Sequence, residues 1–366
     1  MDLPIKLGVV GGRRGSSLIR VLTAMSDVAV VAVCDTNPDV LAEIKVKYDI
    51  PYLYAEYEAL LQTDLDAVII ATPVEFHVAQ SVAALEAGKH VLCEVPAATS
   101  IEECRQLVEA VEKSGRVYMM AENYCYMRNN VLIGEMVKRG FFGDLYYGIG
   151  EYIHELKELN ERNPWRRKHQ TGRNGNTYPT HSIGPLLQWM QDTVEWVCCL
   201  GSGHHYKDSK GEIYANEDTT TTLCKLSGGG MLQLRLDMLS NRPHNMAYYS
   251  LQGVKGCYEA GRGMGDRAKV WLADFSPDKD TWQPLGDFLE YLPEIRRNPP
   301  PEAQGSGHGG SDYWCLRDFI DTIIQGKEPP ISVYDAVEWT AVGLCSTASI
   351  AKRGTPVDVP KFRDGQ

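Results

Sequence analysis

The stretch Ile5-Lys-Leu-Gly-Val-Val-Gly-Gly-Arg-Arg-Gly15 decides the fold. A short apolar run ends in glycines, and the segment Ser17–Met25 that follows reads as a helix. Strand, glycine turn and helix in that order make a cradle for phosphate. Glycines let the backbone turn tightly and approach a pyrophosphate, while the helix start offers free amides and a partial positive charge. The spacing is one residue short of Gly-x-Gly-x-x-Gly, so the glycines count only in this context. Gly11, Gly12, Arg13, Arg14 and Gly15 are the candidate cofactor residues.

Working outward, Val28–Cys34 is almost wholly apolar, as a strand covered on both faces must be. Asp35 ends that strand, where a carboxylate accepts hydrogen bonds from ribose hydroxyls and repels a 2'-phosphate. NAD is therefore expected over NADP. Further strands are expected at Ala67–Ala71, His90–Cys93 and Val117–Ala121, with helices at Asp39–Tyr48 and His77–Ala87 and a capping box at Ser100 and Glu103. Regular alternation predicts a doubly wound parallel sheet, a Rossmann domain over residues 1–124. Thr72 and Pro73 fall at a strand end, where such folds bind ligands.

After residue 124 the pattern changes. Leu145–His154 and Ala215–Tyr258 carry longer alternating runs, which suit a large open, mainly antiparallel sheet. Segments 155–177 and 294–311 read as loops, and helices are expected near 312–325 and 333–352. Residues 125–366 are thus expected to form an α+β domain for substrate binding and oligomerisation. A chain of 366 residues fits two domains at roughly 150 residues each.

Composition excludes several classes. The net charge is −11 and no long Lys/Arg run occurs, so neither nucleic acid nor a membrane surface is an expected partner. No apolar run approaches the ~18 residues needed to span a bilayer. Ten cysteines form no Cys-x-x-Cys, and the His204-His205 and Cys198-Cys199 pairs have no second ligand pair at metal spacing; no metal is expected. Scattered apolar-flanked cysteines and an N-terminus that reads at once as a strand lead us to expect a cytoplasmic protein.

Glu94-Val-Pro-Ala-Ala98 at the end of the His90–Cys93 strand, together with the glycine turn and Ala71-Thr-Pro73, resembles the Gfo/Idh/MocA oxidoreductases. The ordinary dehydrogenases of that family have Glu-Lys-Pro at this place, the lysine assisting proton removal from a sugar hydroxyl. Val95 cannot carry a proton. Further blocks are similar to the NAD-dependent glycosidases of α-N-acetylgalactosaminidase type, glycoside hydrolase family 109. They are Ala121-Glu-Asn-Tyr-Cys-Tyr126, Gly150-Glu-Tyr-Ile-His154, Trp165-Arg166, Arg173-Asn-Gly-Asn-Thr-Tyr-Pro-Thr-His-Ser-Ile-Gly-Pro185, Arg242-Pro-His244 and Gly307-His-Gly-Gly310. The resemblance implies a small glycoside substrate and hydrolysis through transient oxidation at sugar C3, elimination, water addition and re-reduction. It implies cofactor contacts from His77, Glu94, Val95, Asn123, Trp165 and Arg166, and substrate contacts from Arg173, Asn176 and His308. It also implies a homodimer or higher homo-oligomer.

The chemistry needs acid/base groups. Tyr178 and His181 are three apart near a helix start, which puts them on one face. Tyr152 and His154 are two apart on a strand and share one side of the sheet. Glu122 ends a parallel strand and is a candidate base or hydroxyl acceptor. Two other readings stand beside the glycosidase: an NAD-dependent sugar or sugar-derivative dehydrogenase, and a non-catalytic sugar- or NAD-sensing protein.

Overall fold

The structure is a computed structural model that describes residues 3–243 and 247–363. The chain divides into two compact units. One comprises Met1–Tyr126, Pro300–Val337 and Phe362–Gln366; the other comprises Met127–Pro299 and Glu338–Lys361.

In the first unit lie β1 (Ile5–Val10), β2 (Val28–Cys34), β3 (Tyr52–Tyr54), β4 (Ala67–Ile70), β5 (His90–Cys93) and β6 (Tyr118–Met120). All pair in parallel, in the order β3-β2-β1-β4-β5-β6. Their apolar composition follows from position: every residue of β4, β5 and β6 is buried. The order reverses between β1 and β4, which opens a crevice at the carboxyl ends of the strands. The first helix runs Gly12–Leu22 and so begins earlier than Ser17, because Gly11 ends the strand in a left-handed conformation with φ 89°. A Cβ on Gly11 would lie 2.5 Å from the Ala71 carbonyl oxygen, so only glycine fits. Ser100 Oγ accepts the Glu103 amide at 3.1 Å, but the Glu103 carboxylate turns to the Thr99 amide at 2.7 Å rather than to Ser100.

The chain returns to this unit late. The helix Ser311–Gln325 packs on the first helix and on the Asn123–Tyr126 turn. A boundary drawn once at 124/125 therefore misassigns residues 300–337, whose apolar face is buried against the Rossmann sheet's own helices.

The second unit is built on nine strands: β7 (Leu145–Ile153), β8 (Val194–Gly201), β9 (Thr219–Leu226), β10 (Met231–Asp237), β11 (Tyr248–Gly253), β12 (Gly256–Glu259), β13 (Lys269–Leu272), β14 (Gln283–Pro284) and β15 (Val357–Asp358). Only the β7–β10 pair is parallel; the others are antiparallel. Burial alternates along β9 and β10, so one face is covered and the other is open. The segment 155–177 is not plain loop. It holds short helices at Lys157–Arg162 and Pro164–Arg166 and a π-turn at Arg167–Thr171, the second helix started by Pro164 at its first position.

The helix Thr180–Met190 lies across the covered face of β7. Gly150 allows this approach, because a Cβ there would run into the Ser182 carbonyl oxygen. Leu186 and Leu232 close around Gly148 one pleat away. Gly150→Ala is expected to push the helix off the strand and to cost about 1–3 kcal/mol, as overpacking does. Urea unfolding measures this directly; wild-type stability in the variant would show that the contact does not constrain the fold.

Candidate active site

At the end of β2, Asp35 is fixed by two backbone amides. Gly12 N donates to Oδ2 at 2.7 Å and Asn37 N to Oδ1 at 2.8 Å. Gly15 permits the first helix to close on β1, since a Cβ there would lie 2.7 Å from Val9 Cγ1. No side chain caps that helix, which leaves the first-turn amides of Arg13 and Arg14 without partners among the described residues. Two free amides at a helix start, beside a carboxylate at the ribose position, fit a dinucleotide.

Arg13 is exposed, whereas Arg14 is committed to structure. Its Nε donates to Glu94 Oε1 at 2.6 Å and its NH1 to Asp312 Oδ2 at 3.0 Å. Burial works against the guanidinium charge, but the two carboxylates outweigh it and hold the group well above its usual value. Arg14 thus ties the glycine turn to the end of β5 and to the returning helix. Asp312 is itself buried. Burial pushes its carboxyl up, yet His308 and Arg14 hold it well below the usual carboxylate range. Asp312 was not singled out by the sequence; its one local signal is the four-residue spacing from His308.

The neighbouring strand ends are similarly occupied. Thr72 Oγ1 donates to Gln80 Oε1 at 2.6 Å, and Pro73 is half-buried beside it. His77 is buried, with Nδ1 at 2.8 Å from the Pro96 carbonyl and Nε2 at 2.9 Å from the Thr72 carbonyl. Burial opposes a charge there, but the adjacent Cys93 sulfur and the two carbonyls offset it, and His77 is pushed up to about 9. Only the doubly protonated ring can donate to both oxygens. His77 therefore clasps two strand ends together. Val95 is buried. Glu122 is fully buried, and its Oε1 accepts the Tyr124 amide at 3.1 Å, which caps the Asn123–Tyr126 turn. Asn123 Nδ2 donates to Asp312 Oδ1 at 2.7 Å and lies 2.9 Å from His308 Nδ1.

In the second unit, four rings come together. Tyr152 Oη and His154 Nδ1 share a hydrogen bond of 3.0 Å. The Tyr152 ring centroid lies 5.5 Å from that of Tyr178 and 5.2 Å from that of His181. Tyr178 and His181 meet edge to face at 4.9 Å. Tyr152, Tyr178 and His181 are each less than a tenth exposed, and His154 is partly open. The helix start is pinned by Tyr249, whose hydroxyl donates to the His181 carbonyl. Two expected pairs thus form one cluster of two phenols and two imidazoles, all acid/base groups.

Trp165 and Arg166, expected at the cofactor, belong to the second unit; the guanidinium lies 4.5 Å over the Trp165 ring and donates to Gln170 Oε1 at 3.2 Å. Arg173 is half-buried. Asn176 is fully buried; its backbone N donates to Ser346 Oγ at 2.8 Å, and its side-chain amide makes no hydrogen bond among the described residues. His308 lies in the first unit, not the second. His244 lies outside the described residues. Among the described residues no three His, Cys, Asp or Glu side chains converge as metal ligands, and no helix is long and apolar enough to cross a membrane.

Two family models match the chain. One, described as glycosyl hydrolase 109, C-terminal domain, covers residues 126–366; the other, oxidoreductase family, NAD-binding Rossmann fold, covers residues 5–122. The chain is 31% identical to a glycosyl hydrolase family 109 protein of Saccharopolyspora erythraea, over 99% of this chain and 84% of that protein. It is 30% identical to an alpha-N-acetylgalactosaminidase of Shewanella oneidensis, over 99% and 85%. Among solved structures it is similar to levoglucosan dehydrogenase in complex with NADH, with TM-score 0.80 and 21% identity over 98% of this chain and 99% of that one. An NAD binding oxidoreductase from Klebsiella pneumoniae gives TM-score 0.82 at 16% identity, over 98% and 100%. At these identities the structural likeness carries the fold alone.

Two outcomes are expected from this geometry. Asp35 held by two amides cannot swing away from a 2'-phosphate, so NAD should be preferred over NADP by on the order of several kcal/mol. Asp35→Ala should narrow that gap in calorimetry, and equal wild-type affinity for both would contradict the reading. For His77, the folded-state pKa is raised, so its stabilisation is complete below the unfolded value near 6.5 and is lost as pH rises through about 9. The melting temperature should fall across that window, and less so in His77→Gln.

Proposed function

The chain belongs to the glycosyl hydrolase 109 family and carries an NAD-binding Rossmann domain, and from that premise we propose that it hydrolyses a small glycoside by transient oxidation. The observation that carries the reading is the Tyr152–His154–Tyr178–His181 cluster in a chain whose first unit has Val95 where a proton-carrying lysine would serve a dehydrogenase.

The chemistry that NAD supplies when bound is reversible hydride exchange at sugar C3. The residues to hold it are Gly11, Gly12, Gly15, the Arg13 and Arg14 amides, Asp35 and Asn123. The protein's own groups must then manage three protons. One leaves the C3 hydroxyl as the ketone forms. The second leaves C2, which the ketone acidifies. The third reaches the departing C1 oxygen, after which water adds at C1 and the sequence runs back. We assign these transfers to the Tyr178–His181 and Tyr152–His154 pairs. A phenol touching an imidazole passes a proton near neutral pH without charge separation over long distances. Near-complete burial of three of the rings excludes bulk water, which keeps a ketone from side reactions. The alpha-N-acetylgalactosaminidase among the relatives supports an N-acetylated hexose as the first sugar to try.

Turnover in heavy water should place deuterium at C2 of the released sugar, with no steady accumulation of NADH. His181→Ala and Tyr178→Phe should each slow turnover by about 10²–10⁴-fold or more while NAD still binds. A product free of deuterium, or NADH released in proportion to product, would favour a sugar dehydrogenase instead.

A further inference from the structure

His308 has an unusual setting. Its backbone is left-handed at φ 54°, followed by Gly309 at φ 68° and Gly310 at φ 98°. A residue with a side chain adopts that conformation only where its surroundings impose it. A Cβ on Gly307 would run into Asp312 Oδ2, so the loop is drawn tight over that carboxylate.

The ring's tautomer can be worked out. His308 Nδ1 lies 3.1 Å from Asp312 Oδ1 and 2.9 Å from Asn123 Nδ2, while Asn123 Nδ2 lies 2.7 Å from the same Oδ1. At Asn123 Nδ2 the two partners subtend a narrower angle than the two amide hydrogens, so neither is met in line, and the shorter, charge-assisted contact takes precedence. The amide is committed to the carboxylate. A bare nitrogen lone pair beside an ionised carboxylate would be repelled, so Nδ1 carries the hydrogen and donates to Asp312. Nε2 is then the acceptor. The Asp312 side chain is 2% exposed and the His308 side chain 29%, so the ring is partly open while its Nδ1 is turned to a buried carboxylate.

Position says what that acceptor meets. The glycine turn and Asp35 bring the adenosine ribose and pyrophosphate to the β1–β2 side of the switch point. The other nucleotide half then falls to β4, β5 and β6. Asn123 follows β6, and Arg14 links Asp312 to Glu94 at the end of β5. Asn123 is 5% exposed and its Oδ1 has no hydrogen-bond partner, a second acceptor left open at the same place.

We propose that His308 is a ligand of the nicotinamide riboside half of NAD, accepting through Nε2 from a donor there, with Asp312 as the positioning residue that fixes its tautomer. The donor is an N–H of the carboxamide or an O–H of the ribose. This rests on the NAD-binding domain and not on which reaction follows.

Binding without turnover tests it. Calorimetry is run with NAD, ADP-ribose and ADP on the wild type, His308→Asn and His308→Gln. Asparagine can place its amide nitrogen where Nδ1 was but does not reach to Nε2; glutamine restores an acceptor at that reach. His308→Asn should bind NAD roughly five- to tenfold more weakly, as expected for one hydrogen bond, with ADP unchanged and His308→Gln close to wild type. A loss shared by ADP-ribose assigns the ribose; a loss confined to NAD assigns the carboxamide. Unchanged NAD affinity, an equal loss for ADP, or no recovery in His308→Gln overturns the proposal. Wild-type protein that binds none of the three would instead sink the NAD reading. A second readout does not depend on variants. Nitrogen NMR of the wild type should show His308 protonated on Nδ1, with the Nε2 signal moved by NAD and not by ADP; an Nε2–H tautomer in the free protein refutes the idea.

Discussion

The backbone of the helix Thr180–Met190 meets β7 with no side chain between them at Gly150, and the chemistry of the second unit depends on that contact. β7 is the middle strand of nine, hydrogen-bonded on both sides, so its backbone cannot yield. A helix lowered onto it is located to within a fraction of an ångström. Tyr178 and His181 enter at that helix's start, and Tyr152 stands two residues along β7 from the glycine. One missing Cβ thereby sets the distances within the cluster. The Tyr249 hydroxyl on the His181 carbonyl occupies an acceptor near the helix start and fixes the same point from β11.

The first unit depends on a different constraint, a buried charge balance. Arg14, Glu94, Asp312, Asn123 and His308 join segments far apart in the chain. Removing charges from water is costly, and one guanidinium between two carboxylates repays that cost only with its hydrogen bonds made. Both oxygens of Asp312 are occupied, Oδ2 by Arg14 and Oδ1 by Asn123 and His308. The segment 300–337 is thereby joined to the glycine turn by a polar clasp as well as by its apolar helix face.

Much of the fold was legible because it rests on local rules. Apolar runs in β2, β4 and β5 announced strands buried on both faces, and the glycine turn with Asp35 announced a dinucleotide-binding unit. The pairs Tyr152/His154 and Tyr178/His181 were legible from spacing, since strand and helix periods put each pair on one side. That the two pairs meet was not legible, because it depends on Gly150 reading as an approach point and not as a weak spot in a strand. Asp312 was hidden for a related reason: an acidic residue early in a helix is unremarkable until a distant arginine is known to reach it. Residues 155–177 misled through their Asn, Gly and Pro content, although Pro at a first helical position also starts a short helix, as Pro164 does.

Titratable groups are held differently in the two units. At the carboxyl ends of β4 to β6, His77 is clasped between two carbonyls, Glu94 is paired with Arg14, Glu122 caps a turn and Val95 cannot titrate. His77, Glu94 and Glu122 would each lose a structural bond on exchanging a proton. A surface built this way is rigid and holds a dinucleotide in one pose, but it is poor at proton transfer. His308 lies with its Nδ1 against Asp312, an arrangement that suits recognition more than shuttling. The Tyr–His cluster has the opposite character. Its rings pack on one another, and the Tyr152 hydroxyl shares a hydrogen bond with His154 Nδ1, so a proton can pass between these two neighbours without breaking the fold. On the reading proposed above, valine in place of a lysine at the strand end leaves acid/base work to this cluster of the second unit.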